Sequence, residues 1–260
     1  MPGKAFVAVG PSLVAIDTHN PTKRQTLTTF PTDAGINWVT VDLLHDRVFF
    51  GVTSGCDPGI NGTYEIPASG GSRRKISPRG DRVAINPDGT KIAYSVQTDG
   101  CGSRDVVIQD LASGVRQTFS GNRSISVGGW SSDGQSLFLW AYDGSSPAVF
   151  RFRPFVAGAQ LDKSERWDNG IAADTGGGRI AIMDWCSGNT PTCVVGVRTR
   201  GEIGTGPDYN FGRDTHASAL SIDSSGQWPL MVSGNPPGEA VSFFAAGQWH
   251  ELATGNAADW

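Results

Sequence analysis

The residues with chemistry to offer lie in polar, glycine-rich stretches. Cys56, Cys101, Cys186 and Cys193 are the four cysteines, and none forms a C-x-x-C pair. That weakens redox-motif and zinc-ribbon readings. Their neighbours are Gly, Asp and Ser rather than core residues, so they read as disulfides of an oxidising compartment. Cys186 and Cys193 flank one short polar loop that a bridge would close. Asp57, Asp99, Asp143 and Asp184 recur in comparable loops. A ring of carboxylates can hold a hard cation, but capping of their own turns is the favoured reading. Of the four histidines, only His216 falls on the expected binding face, beside Arg213 and Asp214, where an acid–base role is weighed against a plain surface hydrogen bond. A single histidine cannot build a three-histidine metal centre. No Gly-x-Ser-x-Gly elbow is present, so a hydrolase nucleophile has no support. Trp185 follows Asp184 in the loop that Cys186 and Cys193 would close, where a displayed aromatic is a binding anchor.

The elements that position these residues repeat. In the clearest unit, Arg82–Asn86 and Lys91–Ser95 flank Pro87-Asp88-Gly89-Thr90, a strong hairpin signal. Asp105–Gln109 and Val115–Phe119 supply two further strands. Asp42, Asn86, Ser131, Asp174 and Asp223 mark one position in five successive units, spaced roughly 45 residues apart. Four strands at that period describe a β-propeller blade. The N-terminus adds Ala5–Val9, Ser12–Asp17 and Arg24–Phe30, and the missing strand is supplied by Gly255–Trp260, which closes the ring and removes its open edges. The expected fold is an all-β, six-bladed propeller in a single domain, 1–260. Its blades are 1–31 plus 255–260, 32–78, 79–121, 122–166, 167–214 and 215–254. Trp38, Trp130 and Trp140 fall in strands and read as packing between blades.

Two segments resemble the repeat of TolB-like, WD40-like bacterial propellers: Asn86–Ser95 and Trp130–Leu139, the second containing Ser131-Ser132-Asp133-Gly134. The resemblance implies a bacterial propeller placed outside the cytoplasm as a sensor or protein-binding module. It transfers no catalytic residue, because the motif builds turns and inter-blade packing.

In a propeller, the strand 4–1 and 2–3 loops share one face. Asp57, Asp99, Arg123, Asp168, Trp185, Arg213 and His216 fall there and form the expected binding set. Cys56 and Cys101 occupy the same loop of consecutive blades, so a Cys56–Cys101 bridge is expected alongside Cys186–Cys193. His19 and His45 fall in turns on the opposite face. The 21 basic and 25 acidic residues leave a net charge of −4, which argues against broad nucleic-acid binding. No apolar run is long enough to insert into a membrane, and no targeting segment opens the chain.

The expectation is therefore a non-catalytic, extracytoplasmic module binding a protein, peptide or glycan without a cofactor, tethered in some settings to further domains. The alternative is a metal-dependent hydrolase or lyase resembling six-bladed lactonases. It would hold Ca²⁺ or Mg²⁺ at the channel mouth through Asp33, Asp168, Asn169 and Asp214.

Overall fold

The computed structural model describes residues 2–77, 82–97, 104–120, 125–143, 146–154, 162–168, 170–176, 178–184, 195–201, 209–214, 217–233 and 239–260. Backbone alone is described for Pro58, Gln97, Asp143, Ser146, Gly176, Asp184 and the strands within 162–174 and 195–218. In chain order the strands are β1 (Lys4–Val9), β2 (Ser12–Asp17) and β3 (Arg24–Thr29), then β4 (Ala34–Asp42), β5 (Arg47–Ser54), β6 (Gly62–Pro67) and β7 (Arg74–Ser77). Next come β8 (Val83–Ile85), β9 (Lys91–Gln97), β10 (Arg104–Asp110) and β11 (Arg116–Ser120), and β12 (Ile125–Trp130), β13 (Leu137–Asp143), β14 (Ser146–Phe152) and β15 (Asp162–Asp168). The rest are β16 (Gly170–Gly176), β17 (Arg179–Asp184), β18 (Val195–Gly201) and β19 (Tyr209–Asp214), β20 (Ala217–Ile222), β21 (Pro229–Ser233), β22 (Ala240–Ala245) and β23 (Gln248–Thr254), and finally β24 (Ala257–Asp259).

These strands form a β-propeller of four-stranded antiparallel blades. Five blades are recognised as such, one fewer than the six read from the sequence, although the described strands hydrogen-bond into six four-stranded sheets. Five sheets follow chain order, and one combines the two ends of the chain as β24-β1-β2-β3. Its seam is antiparallel, with Phe6 opposite Asp259 and Ala8 opposite Ala257. No described helix is long and apolar enough to cross a membrane.

Strand alternation builds the core between sheets. Adjacent residues point to opposite faces, so Phe50 joins Phe6, Ile36 and Ile66 on one side of its sheet. Phe49 packs with Trp38, Val83 and Ile92 on the other side. The same division places Leu137 and Leu139 with Trp130, and Phe138 with Val149 and Ile180. Leu230 and Val232 pack with Val7 and Trp260, whereas Met231 packs with Ala181 and Leu220. Each apolar cluster thus joins two neighbouring sheets. Burial of each large side chain contributes on the order of 2 kcal/mol, and these contacts set the sheets side by side. Trp38, Trp130 and Trp140 take the packing places expected of them.

The turns that join the first two strands of a blade repeat one geometry. Asn86 N–H donates to the Lys91 carbonyl, Ser131 N–H to Ser136 and Asp223 N–H to Trp228, at 2.8–3.3 Å. In the fifth blade, Thr175 pairs with Ile180 at this position. The register therefore corrects the sequence reading, which placed Asp174 there. The turn of this blade is built on glycines, and a one-residue slip exchanges the two faces of a strand.

Candidate functional site: the central channel

The first strand of every sheet runs along the propeller axis: β4, β8, β12, β16, β20 and β24. Their C-terminal ends surround a cavity of about 820 Å³. Thr40, Val41 and Asp42 contribute from one blade, and Arg82–Pro87 from the next. Gly128–Trp130, Thr175, Ile222–Ser224, Asp259 and Trp260 complete most of the wall.

Hydrogen bonds between blades hold this wall. The Thr40 hydroxyl donates to the Val83 carbonyl at 2.8 Å. The Trp130 indole donates to the Ala84 carbonyl at 3.2 Å, and the Thr175 hydroxyl donates to the Trp130 carbonyl. Asp259 accepts the Val41 N–H at 2.7 Å, the Trp260 N–H at 2.9 Å and the Ser221 hydroxyl. The Trp260 indole donates to the Trp228 carbonyl at 2.6 Å. Buried backbone carbonyls need such partners, so these side chains stiffen the channel.

At the lip, Asp42 caps a single 3₁₀ turn, Leu43–His45. Its carboxylate accepts from the His45 backbone N–H at 3.3 Å and lies 3.0 Å from His45 Nδ1. Arg47 Nη2 donates to it at 2.5 Å and to the Gly89 carbonyl of the next blade at 2.6 Å. The turn so fixed presents Leu43 and Leu44 to solvent, 53% and 78% exposed. Both leucines also line the cavity.

The cavity carboxylates are committed elsewhere. Asp42 serves His45 and Arg47, and Asp259 joins three blades. Asp223 accepts Trp228 N–H at 2.7 Å, Gln227 N–H at 3.0 Å and Ser225 N–H at 3.0 Å. Asp88 and Asp133, in the neighbouring turns, are held below the ordinary aspartate range. Thr90 lowers Asp88 through its hydroxyl and backbone N–H, and the Ser131 hydroxyl lowers Asp133.

Of the seven residues expected to bind, only the side chain of Asp57 is described, and it does not line this cavity. Asp57 is exposed, and its carboxylate accepts the Gly59 N–H of its own turn at 2.9 Å. This is the capping role. Asp99, Arg123, Trp185 and His216 lie outside the described residues, as do the side chains of Asp168 and Arg213. Cys56 is a free, exposed thiol, so the expected Cys56–Cys101 bridge is corrected. Its loop closes on itself: Ser54 Oγ accepts from the N–H groups of Cys56 and Asp57 at 3.2 and 2.9 Å, and the Ser54 N–H donates to Asn61 at 2.5 Å. Cys101, Cys186 and Cys193 lie outside the described residues.

Of the carboxylates named for the metal-dependent alternative, Asp33 accepts the Ser54 hydroxyl, which lowers its pKa. Asn169 and the side chains of Asp168 and Asp214 lie outside the described set. Among the described residues, no group of three or more His, Cys, Asp or Glu side chains is arranged to hold a metal ion.

The sequence reading passed over Arg82, Trp260, Asp259 and the leucine pair. A legible signal did exist for the leucines. Two adjacent large apolar residues within a polar turn have no strand face to bury them, which marks them as displayed.

No family model matches the chain, and no curated protein matches it by sequence. Solved structures do match. TolB from Acinetobacter baumannii superposes with a TM-score of 0.74 at 16% identity, covering 99% of this chain and 66% of that one. The chain thus spans just under two thirds of that protein. A TolB homologue from Agrobacterium tumefaciens gives 0.71 at 14%, covering 97% and 93%. A nidogen/laminin complex gives 0.69 at 10%, covering 98% and 97%. More distant neighbours include a prolyl endopeptidase, with a TM-score of 0.57 and 12% identity, of which the match covers 48%. At these identities the likeness is one of fold, that of TolB-like propellers.

Proposed function

We propose that this chain is a non-catalytic, extracytoplasmic propeller that binds a peptide segment of a protein partner at the channel end bearing Leu43 and Leu44. The single observation carrying this reading is the cavity of about 820 Å³ with two exposed leucines on its rim. An apolar lip beside a concave, tryptophan-lined site is the pattern of a recognition surface. The turn bearing the leucines is fixed by Asp42, His45 and Arg47, so little ordering entropy opposes docking. The TolB-like fold is compatible with such a module and with placement outside the cytoplasm. We also take the ring to be closed and six-bladed. Six sheets, a seam between β1 and β24, and an apolar cluster joining each sheet to the next support that count.

Selection of a displayed peptide library on the whole chain tests the reading. Enriched peptides are expected to bind the wild-type chain and lose about tenfold or more in affinity on Leu43→Asp or Leu44→Asp, since each leucine buries roughly 2 kcal/mol of apolar contact. Loss instead on alanine substitution of Asp57, Asp99, Arg123, Asp168, Trp185, Arg213 and His216 would move the surface to the opposite loops. Hydrolysis of the selected peptides would replace this reading with an enzymatic one.

A further inference from the structure

We infer that the channel contains a carboxylate-binding site built on Arg82, which takes the carboxylate of a peptide C-terminus or of a small organic acid. This rests on the channel being the ligand site. Arg82 stands at the entrance of β8 and lines the cavity, half-buried. Its Nη2 spans the channel to the Leu220 carbonyl of β20 at 3.5 Å, the outer limit of a hydrogen bond. Guanidinium is always charged and carries five N–H donors. Among the described residues this long contact is its one hydrogen bond, and the side chain lines the cavity.

Arginine withdrawn from water normally acquires a counter-ion. Among the described residues, no carboxylate lies within 4.0 Å of this guanidinium. The acids that share the cavity do not fill the gap. Asp42 is paired with Arg47, Asp223 caps its own turn, and Asp259 accepts from three donors on three blades. The two threonine hydroxyls are also spent, since Thr40 and Thr175 donate to the carbonyls of Val83 and Trp130. What remains is a planar cationic fork on the wall of a cavity also lined by Val41, Val83, Trp130, Ile222 and Trp260. A carboxylate matches that fork with two parallel hydrogen bonds, and the apolar walls fit the carbon skeleton behind it. The opposite arrangement, a cation ligand, would meet carboxylates whose lone pairs are already occupied.

The test compares acids with their amides on the intact wild-type chain by calorimetry and by the fluorescence of the cavity tryptophans. The probes are N-acetyl-leucine and N-acetyl-leucinamide, a leucine-ending pentapeptide with a free or amidated C-terminus, and succinate. Acids are expected to bind at least about tenfold tighter than their amides, because a charge-assisted pair is replaced by a neutral contact. Arg82→Gln should abolish that preference, and Arg82→Lys should retain part of it. Preference for the free-acid pentapeptide and N-acetyl-leucine assigns the site to peptide C-termini. Binding of succinate alone assigns it to a free organic acid. Equal binding of acids and amides, no binding of any probe, or an acid preference that survives in Arg82→Gln would overturn the proposal. The wild-type comparison holds even if a variant fails to fold. Library peptides that bind the leucine lip without any acid preference would sink the Arg82 site and leave peptide docking intact.

Discussion

Gly89 of one blade lies so close to His45 of the preceding blade that a Cβ at position 89 would fall 2.3 Å from the imidazole. The residue also adopts φ +68°, in the left-handed region that favours glycine. His45 can swing away only by giving up its 3.0 Å contact with Asp42. Gly89→Ala is therefore expected to destabilise the fold by about 2 kcal/mol, combining backbone strain with a clash. In a His45→Ala background the imidazole clash disappears, and the 2.6 Å approach of Arg47 Nη2 and the backbone cost remain. Urea denaturation of the four-member mutant cycle checks this, and additive losses would contradict it.

Trp130→Phe should cost about 1–2 kcal/mol even though the aromatic packing survives. The substitution leaves the buried Ala84 carbonyl without its indole donor, which now bonds at 3.2 Å. Trp130→Ala should cost about 3–5 kcal/mol through the added cavity. A Trp130→Phe variant as stable as the wild type would show that the hydrogen bond contributes nothing.

Asp259→Ala removes the acceptor for Val41, Trp260 and Ser221 at once. A loss of about 2–3 kcal/mol is expected from the unpaired buried donors. Hydrogen exchange should locate the effect, with faster exchange at the Val41 amide and along the β1–β24 seam.

Acid should weaken the turns at Asp88 and Asp133. Both carboxyls have folded pKa values below the ordinary range, so the folded state resists protonation. Their stabilising contribution is complete above the unfolded value, about 3.9. It is lost as pH falls below that and through the folded value. Asp88→Asn combined with Asp133→Asn should flatten this part of the stability profile between about pH 5 and pH 2. A profile unchanged by the double substitution would refute the assignment.

Cys56 should react with a thiol reagent in the native protein, because it is exposed and free. Cys56→Ser should change stability by less than about 0.5 kcal/mol, as for an ordinary surface substitution. A loss of several kcal/mol would instead match removal of a disulfide.

Much of this architecture was legible locally. Alternating apolar residues and Asp-Gly turns act over a few residues, so the four-strand unit and its period could be read from Asn86–Ser95 and Trp130–Leu139. The seam strand was legible too, because Ala5–Val9, Ser12–Asp17 and Arg24–Phe30 left one strand wanting. The turn position in the fifth blade was not, since glycine repeats carry no side-chain pattern to set the register between Asp174 and Thr175. The Cys56 pairing also failed. Equivalent loop positions specify a face but not the course of the loop, and Ser54, Asp57 and Asn61 fold that loop onto itself.

The amino-acid sequence by itself determined the repeating strands, the two-sided apolar faces typified by Phe49 and Phe50, and the turns that link them, because each depends on neighbours in the chain. Only the tertiary structure decided where a ligand could sit. The channel brings together first strands from every sheet, and Arg82 meets Leu220 across a separation of 138 residues. The packing of sheets remote in sequence sets that distance, and no local pattern encodes it.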